Sequence, residues 1–384
     1  MTGDSRVLMP PLRVAWRFEQ GFQPVMPVLH EGLAFLLGKT NRCVAVAEYD
    51  GNIVWQAPPG QRTTPLAASD VGLLVAVSKG GSTWLELWSP EDGSVRSQLD
   101  QANGIRTVLV EPFVFTGGFD QLVALRVADG KRIWSVRVGQ GPTTWMSGSF
   151  DATAEYACFG LRGGAVVCLD STTGKERWRR SVADTGATGG SVDEARRLVI
   201  HAGTLIVATQ LDRLVAFSLA SGRRRWVYVG GIHPGQLVDG CYQVEAGELD
   251  PKTGFLTPRP PLQWPETLQE RGVFGQGDWA ISKTHIFSGT NDGYLIAWER
   301  RTGDYVWHTK PKGAFSAAQG GTPLLIHNGR LYYGDNNCSV YCLEGVTPAG
   351  LALTSVTGGP KPSRSQPRKM VDLKAKKPRE ARKR

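Results

Sequence analysis

One short pattern recurs along the chain and constrains its fold more than any other feature. In most copies, an apolar run leads to a turn that ends in Gly, and a Trp follows the Gly four residues later. The clearest copy runs from Val166 to Trp178, with the turn at Gly174. The turn glycines stand at 51, 93, 130, 174, 222, 254 and 303, so successive copies are 32 to 49 residues apart. A period in this range is the signature of a repeat architecture.

The spacing predicts a four-stranded antiparallel unit, because strands of about five residues joined by short turns fill it. The apolar runs are typical of strands that are buried on both faces. Glycine supplies the left-handed residue that a tight turn requires, and the large Trp side chain can seal one sheet against the next. A small residue recurs within the runs, and we expect close sheet contacts there. It occurs at Ala47, Ala124, Cys168, Ala216, Ala297 and Cys342.

The two ends of the repeat region predict a closed ring. The last apolar run, Val340–Gly345, has no Trp after it, whereas Trp16 lies in a strand with no run before it. If the N-terminal strand completes the last unit, both gaps are filled and no sheet edge needs an extra partner. Counting Trp16, the ring has eight units. The sixth is weak, because Pro258 replaces the Trp; if that segment is an insertion, seven units remain. The structural Trp residues are Trp16, Trp55, Trp134, Trp178, Trp226 and Trp307.

The repeat motif consists of an apolar run, an acid, Thr-Gly and a Trp. It resembles the repeat of the pyrroloquinoline-quinone (PQQ)-like β-propellers, a family that includes quinoprotein dehydrogenases and BamB-type proteins. The resemblance covers about residues 12–345 and implies an all-β propeller. It does not imply one function, since the fold carries enzymes and interaction scaffolds alike. In the quinoprotein enzymes, PQQ stacks between a Trp and a disulfide of adjacent cysteines beside Ca²⁺. Adjacent cysteines are missing from this sequence, so we expect no PQQ, no Ca²⁺ and no catalytic residue.

Short Gly-rich and polar segments precede the first strand of most units. In a propeller these loops ring one mouth of the central channel, where small residues are also expected for steric reasons. If the mouth binds a ligand, six side chains are the candidates. They are Arg62, Trp145, His233, Gln276, Asp278 and Gln319.

The six cysteines and six histidines show no metal-binding spacing, and we predict no metal site. Cys338 and Cys342 are four residues apart on one expected strand, about 13 Å in extended chain, which is too far for a disulfide. We expect buried, reduced thiols.

The formal net charge of +9 belongs to the C-terminal segment. Residues 357–384 carry eleven Lys and Arg against two acids, a net of +9, so the repeat region is formally neutral. Such a segment is typical of a disordered tail that binds phosphates or an acidic partner. The densest part comprises Lys374, Lys376, Lys377, Arg379, Arg382, Lys383 and Arg384.

These features predict a flexible leader (1–11), a propeller (12–345) and a disordered basic tail (346–384). Pro-rich residues 257–271 interrupt the repeat and predict a surface excursion. The first residues show no apolar core of signal-peptide length, and no run of membrane-spanning length occurs. We therefore expect a cytoplasmic protein, with removal of a native signal as the alternative.

The functional prediction is a non-catalytic, monomeric propeller scaffold that binds protein partners on its faces. The tail would tether it to nucleic acid or to an acidic partner. The alternative is a ligand-binding or enzymatic propeller that uses the channel mouth.

Overall fold

A computed structural model describes residues 8–21, 27–99, 106–117, 121–137, 146–182, 193–232, 235–314 and 324–346. Within these ranges the chain forms 32 β-strands and one helix, α1 (Glu266–Gln269). The strands group into eight four-stranded antiparallel sheets, which are the blades of a propeller. The all-β, eight-bladed prediction is confirmed.

The first four blades take consecutive strands. They are blade one, β2 (Val28–His30), β3 (Leu33–Leu37), β4 (Cys43–Ala47) and β5 (Ile53–Gln56); blade two, β6 (Arg62–Ser69), β7 (Gly72–Lys79), β8 (Ser82–Trp88) and β9 (Val95–Gln98); blade three, β10 (Arg106–Val110), β11 (Phe113–Gly117), β12 (Gln121–Arg126) and β13 (Arg132–Arg137); and blade four, β14 (Met146–Ala152), β15 (Tyr156–Leu161), β16 (Ala165–Asp170) and β17 (Glu176–Ser181).

The next three blades are also consecutive, and the last includes the first strand of the chain. They are blade five, β18 (Ala195–His201), β19 (Thr204–Thr209), β20 (Arg213–Ser218) and β21 (Arg224–Val229); blade six, β22 (Leu237–Val238), β23 (Cys241–Val244), β24 (Gly247–Leu249) and β25 (Leu256–Pro258); blade seven, β26 (Gly275–Ile281), β27 (His285–Thr290), β28 (Leu295–Glu299) and β29 (Tyr305–Thr309); and blade eight, β30 (Leu324–His327), β31 (Arg330–Asp335), β32 (Ser339–Gly345) and β1 (Leu12–Glu19).

The N-terminal strand closes the ring as predicted. β1 pairs antiparallel with β32, and Trp16 lies opposite Cys342. Residues 237–258 form a sheet of their own, although its strands are short. The weak sixth copy is therefore a blade, and the seven-bladed alternative is wrong.

The middle strands of each blade are buried on both faces because a blade on either side covers them. β19 is buried at every position, and β3 is buried at four of its five. The first strands of neighbouring blades contact one another, as β2 does with β6 and β6 with β10. The first strands therefore line the axis of the ring, and the fourth strands form its outer edge.

Neighbouring blades are joined by a Trp that packs on the turn glycine of the next blade. Trp178 of blade four donates its indole N–H to the Leu219 oxygen at 2.7 Å. A Cβ on Gly222 would lie 2.7 Å from the Trp178 ring, and Gly222 has a φ of +67°. Only glycine fits such a position without strain. We call this arrangement the Trp–Gly joint.

The same geometry recurs around the ring. The indole donates to the oxygen three residues before the glycine in each pair, which are Trp16 with Gly51, Trp55 with Gly93, Trp134 with Gly174 and Trp226 with Gly254. The recurring small residue lies opposite the Trp, as Cys168 does opposite Trp178. In blade one this residue is Ala45 rather than the predicted Ala47.

Three joints depart from the pattern. Between blades seven and eight, Trp307 packs against the core cluster that contains Leu8, and no turn glycine of positive φ among the described residues meets its ring. Between blades two and three, where Ser97 replaces the Trp, Gly130 packs on Leu99. Between blades six and seven, the Pro-rich excursion supplies the contact. The main-chain oxygens of Pro260 and Pro261 face Gly303, and the Trp298 indole donates to the Gln263 oxygen at 2.8 Å.

The predicted leader and tail lie largely outside the described residues. Residues 8–11 are described, and there Leu8 is 1% exposed in the core cluster that Trp307 packs against. The Val346 N–H donates to the Pro11 oxygen at 3.1 Å. The chain on both sides of blade eight is therefore held at the ring.

Candidate functional site

Of the six predicted channel-mouth residues, only Arg62 has a described side chain, so their grouping stays a prediction. Arg62 is described and exposed, at the start of β6. Gln276 and Asp278 lie in β26, but their side chains fall outside the described atoms. Trp145, His233 and Gln319 lie outside the described residues. The tail residues Lys374–Arg384 also lie outside them.

Arg62 lines a pocket of about 480 Å³ between blades one and two. Arg42 and Lys79 line the same pocket. The Arg42 guanidinium is held by the Thr40 hydroxyl at 2.8 Å and by the Ala57 oxygen at 2.9 Å. Three cationic side chains around one open pocket favour an anionic ligand.

His30, Glu31 and Asp70 place their ligand atoms within 4.8 Å of one another. The imidazole lies 3.9 Å from Glu31 and 3.8 Å from Asp70, and both acids are exposed. The sequence pattern missed this group because Asp70 comes from the neighbouring blade, forty residues away. Exposed acids of this kind form a solvated ion cluster in the absence of further ligands.

Cys43, Cys158, Cys168 and Cys342 are buried thiols, as predicted, whereas Cys241 and Cys338 are only partly buried. Cys158 and Cys168 lie directly opposite each other on β15 and β16, with their Sγ atoms 2.9 Å apart. Burial is the main cause that raises the pKa of the Cys158 thiol. Local spacing could not reveal this pair because its two members are on separate strands.

The outer edge of the ring has an apolar arc and a charged arc. The apolar arc consists of exposed side chains within two residues of a turn glycine in blades one, two, six and seven. Its members are Tyr49, Ile53, Val95, Phe255 and Tyr305. Tyr49 and Phe255 are 71% and 70% exposed. Val14 of blade eight, 40% exposed, lies between blades seven and one.

The charged arc occupies the corresponding edge of blades three to five. Two residues after the turn glycine, the side chains there are Arg132, Glu176 and Arg224, all exposed. Glu176 pairs with Arg179 at 2.8 Å. This edge carries exposed charges of both signs.

The sequence analysis missed the apolar arc, although its signal was present. In an aligned repeat, the position two residues after the glycine is apolar at Ile53, Val95 and Tyr305 and charged at Arg132, Glu176 and Arg224. Only a closed ring of known order shows that blades six, seven, eight, one and two are neighbours. The separate residues then fall on consecutive parts of the ring.

In the described part of the chain, no helix has the length and apolar character needed to cross a membrane. Among solved structures, the computationally designed Ika8 protein aligns with a TM-score of 0.60 at 13% identity, over 84% of this chain and 96% of that one. BamB from Moraxella catarrhalis aligns with a TM-score of 0.44 at 15% identity, over 84% of this chain and 85% of that one. Quinohemoprotein alcohol dehydrogenase from Comamonas testosteroni aligns with a TM-score of 0.45 at 13% identity, over 86% of this chain and 76% of that one. At these identities the likeness concerns the fold alone.

Curated protein sequences gave no match. The family model described as outer membrane protein assembly factor BamB matches residues 13–254. That range is more than half of the 384 residues, and it contains five of the blades together with the start of the sixth. The chain therefore belongs to the BamB-type family of PQQ-like β-propellers.

Proposed function

We propose that this protein is a non-catalytic interaction scaffold that binds a protein partner through its apolar arc. The observation that carries the proposal is the recurrence of exposed apolar side chains, Tyr49, Ile53, Val95, Phe255 and Tyr305, beside the turn glycines of neighbouring blades. Exposed apolar surface favours a partner, because its burial stabilises a complex by about 25 cal/mol per Å². Aromatic residues are enriched at the centre of such interfaces.

The basic tail would then act as a tether to nucleic acid or to an acidic partner. Its support is the placement of the whole net charge in residues 357–384. If about six of these charges contact phosphates, log K should fall with log[salt] at a slope of roughly −5.

The experiment is an affinity capture that separates the arc from the tail. Four proteins are compared, with and without nuclease: the full chain, a chain that ends at Val356, the double variant Phe255→Ser/Tyr305→Ser, and the control Val229→Thr. Val229 is exposed on blade five, outside the apolar arc. We expect the same folded, monomeric protein in light scattering for all four.

A partner lost with the double variant and kept with Val229→Thr supports the arc. Nuclease-sensitive capture that requires the tail supports the tether. If the double variant retains every partner, the arc is not the interface. If the full chain and the chain that ends at Val356 capture the same nucleic acid, the tail is not the tether.

The second candidate is a ligand-binding or enzymatic propeller, favoured by the cationic pocket around Arg42, Arg62 and Lys79. Calorimetric titration with small dicarboxylates and inorganic phosphate tests it. Binding that is lost in Arg62→Ala would favour this function over the scaffold. Absorbance of a chromophore that stays with the protein through purification would favour an enzyme.

We also propose a cytoplasmic location. It is supported by Cys158 and Cys168, which lie opposite each other on paired strands with their Sγ atoms 2.9 Å apart and no disulfide between them. Disulfides persist in oxidising compartments and are rare in the cytosol. Protein from the native cell, alkylated in denaturant and weighed by mass spectrometry, should carry six labels. A loss of two labels, mapped to Cys158 and Cys168, would place the protein in an oxidising compartment.

A further inference from the structure

A second pocket, of about 600 Å³, lies at the irregular joint between blades six and seven. Leu256 and Pro258 of β25 form one wall, and Leu262 and Trp264 of the Pro-rich excursion form another. Trp279 of β26 also lines it. The excursion therefore builds a concave, mainly apolar site with two aromatic rings, which is the usual character of a ligand pocket.

Arg259 lines this pocket and is the unusual residue in it. Its side chain is only 8% exposed. Nη2 donates to the main-chain oxygens of Val244 at 2.9 Å and Glu245 at 3.0 Å. Nε and Nη1 are buried and have no hydrogen-bond partner. Burial lowers the pKa of the guanidinium, which is the expected effect of removing a cation from water.

The other buried arginine at this joint is already paired, and the acids Glu248 and Glu245 act on Arg259 electrostatically without an ion pair among the described residues. Arg300 of blade seven donates to Glu248 at 2.7 Å and to Asp239 at 3.0 Å. Arg259 has no such ion pair among the described residues. A buried cation without a counter-ion is costly, so its retention favours a ligand that supplies the negative charge.

The surroundings of Arg259 define the rest of the ligand. Its guanidinium carbon lies 5.8 Å from the centre of the Trp279 ring, and the Trp264 ring contacts Trp298 edge to face at 5.2 Å. Flat rings and aliphatic side chains suit a flat apolar group. One guanidinium suits a monoanion, since a phosphate dianion needs more donors than the described lining provides.

We propose that this pocket binds a carboxylate carried on a flat apolar body. The source could be a small aromatic acid or the C-terminal residue of a peptide, and both present the same chemistry to Arg259. The carboxylate lies against the Arg259 guanidinium and supplies its counter-charge, while the ring lies against the aromatic and aliphatic wall.

Isothermal titration of the full chain tests the proposal with four probes: benzoate, benzyl alcohol, a tripeptide that ends in phenylalanine with a free carboxylate, and the same peptide as its amide. We expect each acid to bind at least tenfold more tightly than its neutral counterpart, because a hydrogen bond to a charged group contributes about 1.5–3 kcal/mol. A higher affinity for the peptide acid indicates a chain terminus, and a higher affinity for benzoate indicates a small acid.

Arg259→Met should weaken binding of the acids about tenfold or more and leave the neutral probes unchanged. The matched control is Arg271→Met, which removes an exposed arginine that donates to the Tyr294 hydroxyl at 3.2 Å; we expect no change in binding. Glu245→Gln removes an exposed acid from the rim of the pocket and should tighten binding about twofold, even if Arg259→Met does not fold. Equal affinity for acids and neutral probes, or an unchanged affinity in Arg259→Met, would overturn the proposal.

Discussion

The joint between blades four and five and the joint between blades six and seven meet the same requirement by different means. Each must cover a turn glycine of positive φ and pair the polar groups beside it. Trp178 does both with one side chain at the regular joint. At the irregular joint, the main chain of the excursion contacts Gly303, with a hydrogen bond from the Gln263 N–H to the Gly303 oxygen at 2.8 Å.

The difference shows what the Trp contributes besides buried apolar area. A single rigid ring fills the regular joint and leaves its neighbours paired. The excursion is an irregular loop, and the blade beside it keeps buried polar atoms without partners on Gln243 and Arg259. A pocket opens where the loop meets the blades. The repeat thus gives stability at its regular joints and leaves room for a site where it is interrupted.

The largest expected effect comes from removing the Trp of a regular joint. Trp178→Ala should lower the free energy of unfolding by about 3–5 kcal/mol, since a buried ring is lost and a cavity remains. Trp264→Ala at the irregular joint should cost only about 1–2 kcal/mol, because this ring is half-buried. Urea denaturation followed by circular dichroism measures both. An equal loss at the two joints would contradict the comparison.

A methyl group on the turn glycine tests the same joint from the opposite side. Gly222→Ala should cost about 3 kcal/mol, because the new Cβ meets the Trp178 ring at 2.7 Å and the residue has a left-handed backbone. Gly163→Ala is the control, with φ of +86° and nothing within 4 Å of its Cβ. Its expected cost is about 1 kcal/mol. Similar thermal shifts for both variants would show that backbone strain alone, without packing against the Trp, sets the cost.

The acid at a regular turn gives a smaller, pH-dependent effect. The Arg177 guanidinium, 2.6 Å from Asp170, and the Thr173 N–H lower the pKa of that carboxyl to about 2 from its ordinary value of 3.8. Since the folded-state pKa is depressed, the stabilisation is complete above about pH 4 and is lost as the pH falls towards 2.

Asp170→Asn should cost up to about 1 kcal/mol at neutral pH. It should also flatten the fall in stability between pH 4 and pH 2. Melting temperatures across this range check the prediction. If the variant loses as much stability between pH 4 and pH 2 as the original protein, other carboxyl groups cause the loss.

The smallest effect is expected at the irregular joint. Arg259→Met should change the free energy of unfolding by less than about 1 kcal/mol, because a buried charge without a counter-ion is replaced by an apolar chain of similar length. The same denaturation experiment measures it. A loss of several kcal/mol would mean that Arg259 holds the joint together through its bonds to Val244 and Glu245.

Sequence alone determined the fold, because the propeller depends on local signals that repeat. The apolar runs, turn glycines and Trp residues each encode one step of a blade, and the unmatched Trp16 and Val340–Gly345 encode the closure. Because Pro258 replaces the Trp in the sixth copy, the sequence did not decide between seven and eight blades. The pairing of β22, β23, β24 and β25 in one sheet shows that the ring has eight blades. A blade can form there without the Trp, since its strands are held by hydrogen bonds between main-chain groups.

Only the tertiary structure decided which surfaces and pockets exist. The apolar arc, the Cys158–Cys168 pair and the Arg259 pocket each combine residues from separate strands or blades. The repeat marks single positions of the arc, but closure of the ring and the path of one irregular loop determine which residues become neighbours. The local pattern specifies what each blade is, whereas the ring determines which side chains meet across two blades.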